Sequence, residues 1–130
     1  MKVVSLDGVE SNMKFLHRAE GRQHCSDLHK EARGIISQIF KTDQVFEEVP
    51  VPRERLTLDF FIPTRKLAIE VHGEQHYKFV PHFHITKFGF LQSKKRDARK
   101  KEWCHINNII LVELKYDERD GWETAIRRGV

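Results

Sequence analysis

An α/β sandwich, a small mixed sheet flanked by helices, is the fold this sequence predicts, on three observations. Leu28, Ala32, Ile35, Ile36, Ile39 and Phe40 recur at helical spacing. Two apolar strand-like runs, Leu56 to Ile62 and Leu67 to Val71, flank the turn Pro63-Thr64-Arg65 and read as a hairpin. A helical stretch then leads into the short apolar run Ile109 to Leu114, so the last strand arrives by a helix crossover and adds parallel to a hairpin strand.

In chain order, the turn signals Asp7-Gly8 and Glu20-Gly21, without a clean period around them, predict an irregular N-terminal arm over residues 1–25. Residues 26–130 form the core, and 1–130 reads as a single domain. Ser26 or Asp27 caps a first helix running from about Asp27 to Phe40, and Thr42-Asp43 ends it. Val45 to Val49 is a short strand, and Pro50 and Pro52 forbid a central strand there. Gly73 closes the second hairpin strand. Glu74 to Phe90 is an irregular stretch carrying Tyr77, Phe79, Phe83, Phe88 and Phe90 with His76, His82 and His84, long for a passive loop. A helix follows from about Lys87 or Gln92 to His105, ended by Asn107-Asn108, and Gly121 to Arg128 makes a small final helix.

The 130 residues allow one core, and nine Phe with two Trp supply large pieces for it. Two cysteines, Cys25 and Cys104, exclude a disulfide scaffold and fit a reducing cytoplasm. No apolar run approaches a membrane span, and the first residues lack a signal peptide's apolar stretch, so a soluble protein that stays inside the cell is expected. Lys and Arg number 23 against 19 Asp and Glu, a net +4. Six of the ten residues from Ser93 to Glu102 are basic. That decade is a solvated helix face, or a phosphate contact if an active site lies beside it.

Asp59 interrupts a strand that is otherwise apolar, a costly position for a carboxylate unless it is paired or metal-bound. On the next strand the period of two puts Glu70 and His72 on one face and Ile69 and Val71 on the other. With strands about 4.8 Å apart, Asp59 and Glu70 can share one hard cation that relieves their repulsion, with a strand carbonyl such as that of Val71 completing the set. Two strand-borne acids beside a basic residue are a minimal site for phosphodiester hydrolysis. The pair Cys25/His29 and the Cys104-His105 dipeptide lack the spacing of a zinc signature, so buried cysteines are expected rather than a structural zinc.

The blocks Leu58-Asp59-Phe60-Phe61-Ile62-Pro63, Lys66 to Tyr77 (Lys-Leu-Ala-Ile-Glu-Val-His-Gly-Glu-Gln-His-Tyr) and Gln92-Ser93-Lys94-Lys95-Arg96-Asp97 resemble the PD-(D/E)XK nuclease superfamily. Within it they are similar to the branch of very-short-patch repair endonucleases and related phage homing endonucleases. The resemblance covers about Asp27 to Tyr116. It implies a restriction-endonuclease-like three-layer sandwich and Mg2+-dependent hydrolysis of double-stranded DNA, with Mn2+ able to substitute. The enzyme would work in the cytoplasm of a bacterial or phage-infected cell, as a free-standing homing-type or nicking enzyme and as a monomer or homodimer.

Carried over residue by residue, Asp59 is a metal ligand and Glu70 a ligand or water-orienting base. His76 is a general acid or phosphate contact, and Asp97 an acid near the site. Glu31 matches an upstream helix glutamate. Gln75 and Tyr77 lie at the mouth of the site, where the aromatic segment either caps the core or meets DNA, and Lys95, Arg96, Arg99 and Lys100 hold the DNA backbone. His72 departs from the pattern, standing where the superfamily has lysine; it is expected to carry protons with an apparent pKa of roughly 6 to 8. The rival readings are a Holliday junction resolvase-like nuclease and a non-catalytic DNA-binding module on the same fold.

Overall fold

Ser26 starts the first helix: its hydroxyl accepts from the His29 backbone N–H at 3.1 Å, satisfying one of the four donors a helix leaves open. Helix α1 (Asp27–Ile39) follows and buries Ala32 and Ile36 on one face. In this computed structural model, which describes residues 1–15, 26–78, 80–81 and 86–130, α1 is preceded by two short strands, β1 (Lys2–Val4) and β2 (Glu10–Asn12). After it come β3 (Phe46–Val51), β4 (Leu56–Ile62), β5 (Leu67–His72), α2 (Lys87–Ile106), β6 (Ile110–Lys115) and α3 (Trp122–Arg128).

The main sheet has the order β3-β4-β5-β6, antiparallel except for the parallel pair β5 and β6. The parallel pairing follows from the α2 crossover, as expected. A Pro63–Arg65 turn with Lys66 in the left-handed region (φ 48°) closes the β4–β5 hairpin. Helices cover both faces. One apolar cluster joins Leu58, Phe61 and Ala68 to Trp103 and Cys104 of α2, while the other joins Phe60, Ile62 and Ile69 to Ile36 of α1 and Trp122 and Ile126 of α3. Among the described residues no helix is long and apolar enough to cross a membrane.

Two elements differ from expectation. The first residues of the expected irregular arm are a two-stranded hairpin, turned at Gly8 (φ +87°). Its strands are three residues long and half polar, so they carry no readable period; they are held from outside. Asn107, just past α2, accepts from the Val4 N–H at 2.7 Å and donates to the Val4 carbonyl at 2.9 Å, and Val3 and Met13 enter the core. Strand β3 runs on through Pro50 to Val51, because it is an edge strand where a missing N–H costs no ladder bond.

A third feature positions the site. Leu56 and Leu58 pack on the α2 side of the sheet, yet Phe60, two residues further, packs on the α1 side. Alternation therefore slips by one at Asp59. The partner strand slips at the same level: Glu47 pairs with Phe60 and Val49 with Leu58, with Glu48 between them at φ 48°. A non-glycine residue held there stores local strain of about 1 to 3 kcal/mol.

Candidate active site

Strands β4 and β5 pair regularly as far as Phe60 and Ile69, which puts Asp59 and Glu70 opposite one another at the next step. There the side chains take over the ladder. The Asp59 N–H donates to Glu70 Oε2 at 2.6 Å, and the Val71 N–H donates to Asp59 Oδ2 at 2.9 Å. With carboxylates standing in for opposing carbonyls, the two backbones separate and a cleft of about 360 Å3 opens, lined by both acids. In an extended strand a residue's N–H and C=O point to the same edge, so Val71 turns its carbonyl to this gap as well.

Lys100, from the middle of α2, caps the pair with an ion pair to Glu70 Oε1. Glu70 is 3% exposed. Burial and then the charge of Asp59 push its pKa up to about 8, with Lys100 working in the opposite direction. Two acids this close in a dry site repel each other and attract positive charge. One oxygen of Asp59, Oδ1, has no partner among the described residues. The donors are hard oxygens, a set suited to a divalent cation of the Mg2+ kind.

Next to the acids lies a histidine stack. The rings of His72 and His76 are parallel, 4.1 Å apart, and His76 Nδ1 sits 3.1 Å from Asp97 Oδ2. His72 Nδ1 faces the Tyr77 hydroxyl at 3.1 Å and Glu113 Oε2 at 3.2 Å. Donor atoms of His72, His76 and Asp97 lie within 4.8 Å of one another, a second grouping with the composition of a metal site. Burial, and after it the neighbouring His76, push His72 down to about 4. Burial works to raise Asp97, but the His76 hydrogen bond and the positive charges of His76, His72 and Lys100 hold it below the ordinary carboxylate value.

Most of the residues singled out from sequence converge here: Asp59, Glu70, Val71, Gln75, His76 and Lys100 line the cleft, and Asp97 stands behind His76. A neighbouring cleft of about 450 Å3 shares Gln75, His76 and Lys100 and adds Arg96. Five residues have surroundings other than those expected, the first being Lys100, expected to hold the DNA backbone but turned in to Glu70. Glu31 is half exposed and pairs with Arg119 at 3.2 Å, outside the residues lining the cleft. Arg99 donates to the Glu54 carbonyl at 2.6 Å, so it is committed to the protein. His72 points to the same face as Glu70 but is buried, with a pKa below the expected range of roughly 6 to 8, because His76 covers it. Tyr77 turns its hydroxyl inward to His72 while Lys94 and Lys115 lie over its ring. Lys95 is exposed on α2. Cys104 is buried and its thiol is pushed up to about 12, first by that burial, so it is inert. Cys25, Phe79, His82, Phe83 and His84 lie outside the described residues.

Sequence reasoning missed one pairing. Glu47 of β3 is fully buried, and His29 Nε2 lies 2.5 Å from its Oε1. The readable signal was an acid inside an apolar strand, the one that marked Asp59. It was masked by the adjacent Glu48, which made the run look solvent-facing.

No family model and no solved structure matches this chain. It is 43% identical over 118 residues to uncharacterized protein 307L of Invertebrate iridescent virus 6, a match covering 81% of this chain and 60% of that protein. It is 36% identical over 76 residues to uncharacterized protein 033L of Invertebrate iridescent virus 3, covering 58% and 39%. The matches thus span less than two thirds of the length of these two relatives. With uncharacterized protein 094L of Frog virus 3 it is 30% identical over 127 residues, 91% of this chain and 82% of that protein. The chain belongs to the family of this viral protein.

Proposed function

We propose that this member of the 094L family is a metal-dependent DNA endonuclease of the PD-(D/E)XK kind, with a restriction-endonuclease-like fold. The observation that carries the reading is the pair of strand acids, Asp59 and Glu70, crossing the β4–β5 gap with Lys100 set against Glu70. The cation that is missing where His72 replaces the superfamily's lysine arrives instead from α2.

Asp59, Glu70 and the Val71 carbonyl would hold Mg2+, with Mn2+ as a substitute; when bound, such a cation neutralises phosphate charge and lowers the pKa of a bound water. The remaining work belongs to the chain. Arg96 and Lys95 hold phosphates from α2, Lys100 keeps positive charge beside the acids, and Gln75 contacts the substrate at the mouth. His76, its ring fixed by Asp97, delivers a proton to the leaving oxygen through its other nitrogen. Double-stranded DNA is the substrate, cut by a homing-type or repair-type nicking enzyme.

The test is nicking of supercoiled plasmid with Mg2+ and with chelator, for the wild type and Asp59→Asn. Cleavage that needs Mg2+ and falls at least a hundredfold in Asp59→Asn, with DNA affinity retained, is the expected result. Metal-insensitive binding without nicking at any enzyme excess would make the chain a binding module. A preference for four-way over linear duplex substrates would make it a junction resolvase.

A further inference from the structure

The nuclease reading uses His76 on the α2 side of the cleft and leaves the α1 side unassigned. There the cleft is lined by His29 together with Ser26 and Leu28. The His29 ring is fixed twice: stacked on Phe60 at 4.4 Å, and tied through Nε2 to Glu47 Oε1 at 2.5 Å. Arg33 also reaches that oxygen, at 3.0 Å, while Glu47 Oε2 is buried without a hydrogen-bond partner. Arg33 alone neutralises the carboxylate, so a buried acid that also grips a histidine does more than balance charge. A neutral imidazole whose Nε2–H donates to the Glu47 carboxylate is left with Nδ1 as its acceptor. Nδ1 has no partner among the described residues.

We propose, on the basis of the nuclease reading, that His29 is a catalytic residue that takes the proton from the attacking water, with Glu47 as its positioning residue. The slip in alternation at Asp59 makes this possible, since it places Phe60 and the stacked His29 on the α1 side of the gap, while His76 enters from the α2 side. In-line displacement needs proton acceptance on one side of the phosphorus and donation on the other. The water oxygen forms the new P–O bond as its proton passes to His29 Nδ1. The opposite P–O bond breaks with its electron pair on the leaving oxygen, which takes a proton from His76. Both histidines then exchange protons with solvent. Glu47 and Arg33 face His29 from behind, and Asp59, Glu70, His76 and Lys100 share its cleft.

His29→Gln is the informative variant, because the glutamine amide keeps a donor near Glu47 and removes the nitrogen at Nδ1. Plasmid nicking should fall about a hundredfold or more, and the acid limb of the pH–rate profile should vanish, with the melting temperature close to wild type. On a duplex carrying a bridging phosphorothiolate at the mapped cut, a sulfur leaving group needs no acid: His76→Ala should recover and His29→Gln should not. If His29→Gln fails to fold, His29→Asn is put through the same pH and sulfur comparisons. Nicking within about tenfold of wild type, an unchanged acid limb, or rescue by sulfur overturns the assignment while leaving the nuclease reading intact. A wild type that never nicks overturns both.

Discussion

Glu70 has its carboxylate in the driest part of the site, and the free energy of keeping it there depends on pH. Its folded pKa is pushed up to about 8 from an ordinary 4.5, by burial first and Asp59 second. A raised pKa means that the folded state binds this proton more tightly than the unfolded chain does. The stability it contributes is therefore full below 4.5 and is lost as pH rises from there through about 8. Glutamine at this position is uncharged throughout, so in chelator the melting temperature of Glu70→Gln should fall less between pH 5 and 8.5 than that of the wild type. Parallel melting curves across that range would show that Lys100 compensates Glu70 fully. Asp59 and Glu70 were legible because each breaks an apolar strand pattern within its own few residues, whereas His76 came from the family resemblance alone. His29 was not legible, since its role depends on Glu47, eighteen positions away on another element.

The basic decade of helix α2 was read from sequence as a solvated face or a phosphate contact, yet its cations divide three ways. Lys100 turns in to Glu70, Arg99 is held by the Glu54 carbonyl, and Arg96 lines the neighbouring cleft with only Ser93 Oγ, at 3.0 Å, as its own-helix partner. Each phosphate contact contributes about one unit to the dependence of log affinity on log salt. Arg96→Ala should lower that slope by about one, and Arg99→Ala should leave it nearly unchanged while lowering the melting temperature, because a carbonyl loses its donor. Fluorescence anisotropy on a duplex across a salt series reads the first, and thermal unfolding the second; equal loss of slope in both variants would contradict the division. Elements with their own period, α1 and the β4–β5 hairpin, could be read to within a residue or two. The β1–β2 hairpin could not, being short, polar and pinned by Asn107 from the far end of the chain. Nor could the slip at Asp59, since a left-handed glutamate at position 48 has no sequence signature as a glycine would.

At the scale of the molecule, the sheet carries one apolar cluster on each face, and the groups of the proposed catalytic site gather at the β4–β5 gap, which residues of both helical layers line. His29 arrives from α1, Lys100 and Asp97 from α2, and the two acids from the strands between. Among the described residues the chain carries one such acid pair. Under the proposed nuclease reading, a single acid pair places one phosphodiester in register at a time, so one binding event by one chain would cut one strand. Cutting both strands at once needs a second copy related by two-fold symmetry, and the second nick is otherwise an independent event. With supercoiled plasmid in excess over protein, open circles should therefore accumulate first, and linear product should appear later with a lag. Raising the protein concentration should leave that order unchanged if the acting unit is one chain. Linear product without an open-circle phase, growing with the square of protein concentration, would instead identify a dimer as the cutting unit and place two of these clefts on one duplex.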